Sequence, residues 1–254
     1  MTALSVNVNK IATLRNARGG KLPDVVQCSY DILNFGAHGI TVHPRPDERH
    51  IRKHDVFDLH KMIRDWNQQK NDTKEFNIEG YPSPDFLELI EEVRPDQCTL
   101  VPDPPHVLTS NAGWKMATNE DLLKQVTTRL KKAGVRVSLF VDVFDWSESE
   151  AASLSRIRPD RVELYTEKYA SAFGSPEEKA VTERYSQVAR EMAQKQIEIN
   201  AGHDLNLSNL RSLIVKIPEI AEVSIGHALI SEALYLGFQE TIRRYLQELE
   251  INRT

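Results

Sequence analysis

The feature that most restricts this chain is an alternation: eight short β-rich runs, each followed by an amphipathic helical stretch, repeated to the C-terminus. The runs are Leu4–Val8, Gly39–His43, Glu75–Glu79, Gln97–Val101, Arg136–Val141, Arg161–Tyr165, Gln196–Asn200 and Glu222–Ile225. Strands separated by helices return over the sheet and lie parallel, and runs this apolar suit strands buried on both faces. Eight such units in 254 residues are expected to close into an α/β fold, a (β/α)8 TIM barrel with a single domain over residues 1–254. A doubly wound open sheet would show the same alternation, but the G-x-G-x-x-G fingerprint after its first strand is missing.

Helix boundaries carry their own chemistry. Ser83-Pro84 starts one helix, and Ser175-Pro176 with Glu178 supplies an N-cap, a proline at the first helical position and a capping-box acid. Gly36 closes a helix over Asp24–Phe35 and Gly134 one over Asn119–Ala133, since glycine takes the left-handed cap conformation cheaply. The last helix is expected to run from Ile230 to Glu250, with Ile230, Leu234, Phe238, Ile242, Tyr245 and Leu249 forming one stripe against the barrel wall. Asp65–Lys74, rich in Asn, Gln and Lys, reads as a surface insertion.

A net charge of -5 and a pI near 5.9 provide no general attraction to nucleic acid or an anionic membrane. An anion site must therefore come from local cations and backbone N–H groups, which favours a small ligand. Cys28 and Cys98 fall in a helical and a strand segment, with none of the close pairing of a metal knuckle or disulfide framework, as expected in a reducing cytosol. Met1–Asn9 shows no basic region leading into an apolar run, and no stretch approaches the roughly 20 apolar residues of a membrane span. A soluble, cytoplasmic protein is the expectation.

In a barrel the active site forms where the strands end, and these ends are polar. They read Asn7-x-Asn9-Lys10, His43-x-Arg45, Glu79-Gly80, Pro102-Asp103, Asp142, Glu163-x-Tyr165-Thr166, Asn200-x-Gly202-His203 and Gly226-His227. Any one strand-end histidine is more often structural than catalytic, but the glutamates Glu79 and Glu163 and the histidines His43, His203 and His227 would share one mouth. Arg45, Arg49 and His50 lie in a loop stiffened by Pro44 and Pro46, which suits phosphate because a prepositioned guanidinium loses little freedom on binding. The alternative is a solvated loop with Arg49 paired to Asp47. Arg15 and Arg18 form a second cationic segment. The Gly-His pairs after strands seven and eight are either plain turns or places where backbone N–H groups approach a phosphate. No H-x-H or H-E-x-x-H spacing supports a metal, and no G-x-S-x-G elbow supports acyl transfer.

Four segments are more specific: Asn7-x-Asn9-Lys10-Ile11-Ala12-Thr13-Leu14-Arg15-Asn16-Ala17-Arg18-Gly19, Gly39-Ile40-Thr41-Val42-His43-x-Arg45-x-Asp47-x-Arg49-His50-Ile51, Asn200-Ala201-Gly202-His203 and Ile225-Gly226-His227-Ala228. In order and over essentially the whole chain, they resemble the pyridoxine 5'-phosphate synthase family. The resemblance implies condensation of 3-amino-2-oxopropyl phosphate with 1-deoxy-D-xylulose 5-phosphate to pyridoxine 5'-phosphate, inorganic phosphate and water. It also implies no metal or organic cofactor, and a homo-octamer. It makes His43 and Glu79 proton acceptors, His203 a proton donor and Glu163 an acid supporting the transition state. Asn7, Arg18, Asp204, Gly226 and His227 would hold the aminoketone phosphate, and Asn9, Lys10, Arg45, His50 and Thr109 the deoxyxylulose phosphate.

Two places depart from that family's pattern: Asn9-Lys10 stands where Asp-His is common, and Asp204 where glycine is. Lysine keeps a donor but would need a strongly lowered pKa to act as a base. The chemistry suits the inventory independently of the resemblance, because joining an amine to a ketone, losing water and closing a ring needs several proton transfers at one pocket. A phosphosugar isomerase or aldolase is the nearest rival, although the strand interiors show no Schiff-base lysine. A binding protein that kept the barrel without turnover is the other, favoured only by Asn9-Lys10.

Overall fold

The computed structural model describes residues 2–102 and 112–250. In chain order the elements are β1 (Ala3–Asn7), α1 (Asn9–Ala17), α2 (Val25–Asn34), β2 (Gly39–Val42), α3 (Lys53–Lys70), β3 (Glu75–Gly80), α4 (Pro84–Val93), β4 (Gln97–Leu100), α5 (Glu120–Lys132), β5 (Arg136–Val141), α6 (Glu148–Ile157) and β6 (Arg161–Tyr165). There follow α7 (Glu167–Ala172), α8 (Glu178–Gln194), β7 (Glu198–Gly202), α9 (Leu210–Lys216), β8 (Ile220–Ile225), α10 (His227–Leu236) and α11 (Phe238–Leu249). All eight expected strands form, pair in parallel and close in sequence order, β8 pairing with β1 through Leu4↔Val223 and Val6↔Ile225. The fold is a closed (β/α)8 barrel, and the open-sheet alternative falls because β1 and β8 are hydrogen-bonded neighbours.

One face of the strands is apolar throughout: Leu4, Val6, Ile40, Val42, Phe76, Ile78, Leu139 and Leu164, all fully buried, belong to the core shared with the helices, while Phe140 and Tyr165 with Val101 form a small separate cluster. The other face carries a chain of hydrogen bonds from strand to strand: Ser5 Oγ to Thr41 Oγ1 (2.7 Å), Asn77 Nδ2 to Thr41 Oγ1 (3.3 Å) and Thr99 Oγ1 to Asn77 Oδ1 (3.2 Å). At the N-terminal ends, Arg136 bonds Glu75 and Gln97, while Arg161 bonds Gln97, Glu198 and Glu222. Buried polar groups are tolerated when they satisfy one another, as these do, whereas Ser138 Oγ on β5 has no hydrogen-bond partner among the described residues.

Caps account for the helix starts at Asp24, which accepts from the N–H groups of Val26 and Gln27, and at Ser83, which accepts from Phe86 N. Gly36 and Gly134 adopt positive φ just beyond their helices. Three sequence expectations change. Helix α8 begins at Glu178, since Ser175–Glu177 form a turn in which Ser175 Oγ accepts from Glu177 N, and Glu178 reaches back to Gly174 N instead. The expected last helix is broken at Gly237, whose φ of 75° and ψ of 154° are not helical. The stripe misses the break because Leu234 and Phe238 stand four apart across it, and Leu234 is 74% exposed. The polar run Asp65–Lys74 is mainly the last turns of α3, closed by Asn71 in the left-handed conformation and by Asn67 bonding the backbone of Lys74. An exposed helical face and a surface loop share the same polar composition.

Candidate active site

Beyond the ends of β1, β2 and β3, short-range geometry builds one group of residues. The Asn7 side chain at the end of β1 works at both ends: Oδ1 accepts from Asn9 N (3.1 Å), and Nδ2 donates to Glu79 Oε2 (3.3 Å). Asn9 Oδ1 in turn accepts from the backbone N–H of His43 (2.9 Å), tying the start of α1 to the end of β2. His43 Nδ1 then lies 3.9 Å from Glu79 Oε2. Burial pushes the His43 imidazole down to about 3, with the charges of Arg45, His50 and Arg49 adding to it. Burial pushes the Glu79 carboxyl up to about 7, opposed by His203 and Arg45 and reinforced by Glu222. Near neutrality His43 is therefore a free-base imidazole, and Glu79 takes up a proton far more readily than an ordinary carboxylate.

The loop after β2 is held from behind. Arg15, 5% exposed, makes a two-pronged ion pair with Asp55 (2.6 and 2.9 Å) and donates to the His50 carbonyl, as does Asn16 Nδ2. His50 Nδ1 accepts from Ile51 N (3.0 Å), so its Nε2 is the nitrogen bearing hydrogen. Burial and the cations Arg45, Lys10 and Arg49 push this imidazole down to about 4, and a neutral His50 offers a phosphate one donor. Arg45 is buried. Arg49 is paired with Asp47 at 2.6 Å, as the solvated-loop alternative had it. His43, Arg45, Tyr81 and Phe86 line part of a cleft of about 400 Å³ between this loop and α4.

Across the mouth, Glu163 on β6 is buried, its Oε2 without a hydrogen-bond partner among the described residues, as are both amide atoms of Asn200. Burial, with the neighbouring carboxylates of Glu79 and Glu222, holds its carboxyl well above the usual range, favouring the protonated form. Its room comes from Gly202, where a Cβ would stand 2.5 Å from Glu163 Oε1. His203 follows with φ +98°, a conformation costing a β-carbon residue on the order of 1–3 kcal/mol, and its ring meets the Tyr165 edge at 5.0 Å. Its Nδ1 is 2.6 Å from Asp204 Oδ2.

Two helix N-termini complete the rim. Gly226, the N-cap of α10, provides no capping side chain, and a Cβ there would meet Asn7 Cβ at 3.0 Å. Helix α1 starts at Asn9 with Lys10 exposed in its first turn. Because β1 and β8 are neighbours, the N–H ends of α1 and α10 stand side by side, a setting that favours an anion.

The family model for the pyridoxal phosphate biosynthesis protein PdxJ matches residues 4–251. The chain belongs to the PdxJ family. Family relatives named pyridoxine 5'-phosphate synthase include those of Porphyromonas gingivalis, 53% identical over 99% of this chain and 100% of that one, and of Cytophaga hutchinsonii, 51% identical over 98% and 100%. Among solved structures, phosphoribosyl anthranilate isomerase from Thermotoga maritima (TM-score 0.61, 12% identity, 98% of both chains) and 3-keto-L-gulonate-6-phosphate decarboxylase from Vibrio cholerae (TM-score 0.62, 10% identity, 98% and 97%) share the barrel fold.

Of the residues that the PdxJ-family resemblance singles out, the fold places His43, Glu79, His203, Asn7, Asn9, Lys10, Arg45, Gly226 and His227 at strand ends or within a few residues of them, Glu163 in the middle of β6 and His50 farther along the loop after β2. Arg18 is different: it is exposed at the C-cap of α1, roughly 12 Å along the axis from Lys10 at 1.5 Å per residue. Thr109, like Asp103, lies outside the described residues. Arg15, read as part of a cationic segment, is instead a buried structural partner of Asp55. Sequence reading missed the positioning of the His43 backbone by Asn9, the Asn7–Glu79 bond and the inward acid Glu222. The signal was present as polar residues two apart in strand after strand, such as Ser5/Asn7, Asn77/Glu79, Arg161/Glu163 and Glu222/Ser224.

Proposed function

We propose that this PdxJ-family chain is a pyridoxine 5'-phosphate synthase, condensing 3-amino-2-oxopropyl phosphate with 1-deoxy-D-xylulose 5-phosphate to pyridoxine 5'-phosphate, inorganic phosphate and water. The observation that carries the reading is the set of proton-exchanging groups at one barrel mouth, His43 3.9 Å from Glu79 and the buried Glu163 across from them, in a chain half identical to synthases of that name. His43 and Glu79 accept protons, His203 donates one and Glu163 is the buried acid that supports the transition state. Multi-step carbonyl chemistry on one bound intermediate requires such a graded set.

Two phosphates require two anion sites. Asn9, Lys10, Arg45 and His50 hold the deoxyxylulose phosphate together with Thr109, while Asn7, Arg18, Gly226 and His227 hold the aminoketone phosphate with Asp204, the latter through its backbone N–H alone, and with backbone N–H groups of α10 toward its charge. The site's residues require no metal or organic cofactor for these transfers. The working form is a cytoplasmic homo-octamer of the 29.0 kDa chain; among the described residues no helix is long and apolar enough to cross a membrane.

The test mixes the purified protein with both substrates and follows pyridoxine 5'-phosphate and released phosphate together. The His203→Asn variant should bind both substrates and turn over about 100- to 10,000-fold more slowly. Absence of product from the native chain, or near-native turnover in the variant, would overturn the assignment.

A further inference from the structure

Resting on the reading of His203 as a proton donor, we infer that Asp204 is a positioning residue for it: the Asp204 carboxylate holds the Nδ1–H, so that the imidazole meets substrate through Nε2 alone. The two side chains are 2.6 Å apart, Nδ1 to Oδ2. An ionised carboxylate can only accept, so Nδ1 is the donor, and a donor at that nitrogen leaves Nε2 as the site of proton exchange. The ring is held from a second direction by the edge contact with Tyr165.

The carboxylate itself is set on a rigid support. The Asp204 carbonyl accepts from Asn209 Nδ2 (3.2 Å), and Asn209 is buried. Asn209 Oδ1 accepts from Asn206 N (2.9 Å), Asn206 Oδ1 accepts from Ser208 N and Asn209 N, and Tyr169 donates its hydroxyl to the Asn209 carbonyl (2.7 Å). This locks the turn between β7 and α9 on which Asp204 stands, and a locked second partner is what aims an acid–base imidazole. In the donating step the N–H bond at Nε2 of the imidazolium breaks and an O–H bond forms on the departing hydroxyl as its C–O bond breaks, the C–O pair leaving with oxygen as water. The electron pair stays on Nε2, and the neutral ring remains in the Nδ1–H form that Asp204 favours, ready to regain a proton from water at Nε2.

The experiment compares Asp204→Ala and Asp204→Asn with the native chain, using ¹⁵N spectra of histidine-labelled protein and steady-state kinetics. The His203 signals are identified by their loss in His203→Asn. In the native chain the neutral His203 ring carries its hydrogen on Nδ1, and Asp204→Ala shifts it to Nε2. Asp204→Asn, whose side-chain carbonyl still accepts, retains the native form. Because the pair is partly exposed, kcat in Asp204→Ala should fall by roughly 10-fold, the low end for a residue that orients a catalytic ligand, with KM unchanged and with Asp204→Asn recovering most of the loss. The same tautomer in the native chain and in Asp204→Ala overturns the inference, as does a raised KM with native kcat. A chain that forms no product refutes the synthase reading, while the ¹⁵N spectra still decide the His203–Asp204 pairing.

Discussion

Gly202→Ala adds one methyl group at the point where β7 passes the buried acid. The new Cβ would lie 2.5 Å from Glu163 Oε1 and 2.8 Å from the Ser224 carbonyl oxygen, both inside normal contact. Ser224 is the register partner of Gly202 in the β7–β8 ladder, so its carbonyl retreats only by opening the barrel, and the yielding group must be the Glu163 side chain. Overpacking of this kind costs about 1–3 kcal/mol, which for a chain of this size lowers Tm by roughly 2–12 °C. The displaced carboxyl leaves the reacting centre, so kcat should drop further than the stability loss accounts for. Thermal melts and steady-state assays at a temperature where the variant is folded separate the two effects. Gly20→Ala, with nothing within 4 Å of its Cβ, is the control and should melt like the native chain. Adding Glu163→Ala to Gly202→Ala should recover part of the Tm, because it removes one of the two clashes. A Gly202→Ala protein with native Tm and native kcat would refute the reasoning.

Glu222→Gln tests the buried acids by pH. Burial pushes Glu222 up to about 7, against the pull of Arg161, from 4.5 in an exposed chain, so the folded state holds this proton more tightly. Its contribution is complete below the unfolded value and is lost as pH rises through 7. The Tm difference between Glu222→Gln and the native chain should therefore move in favour of the variant between about pH 5 and about pH 8; a constant or opposite trend would contradict the sign. Arg15→Ala strands Asp55, 3% exposed, with a buried uncompensated charge and should lose about 3–5 kcal/mol in chemical denaturation. A loss below about 1 kcal/mol would mean that the ion pair does not brace the loop behind His50.

The order of strands and helices, and which residues close each strand, could be read from the sequence, because apolar period, caps and glycine stops are local properties of neighbouring residues. His43, Glu79, Glu163 and His203 were legible for that reason: in a parallel barrel, position along a strand already decides which end of the molecule a side chain occupies. Local pattern failed where two conformations share one spacing, as at Gly237 within the final helical stripe and in the polar end of α3. It also could not separate Arg15 from Arg18, similar charges three residues apart, one buried on Asp55 and the other exposed at a helix end. Tertiary structure alone decided the protonation of the site. Whether Glu79 or Glu163 keeps its proton, and whether His43 or His50 is neutral, depends on burial and on charges carried by other strands, and those distances exist only once β8 has closed on β1.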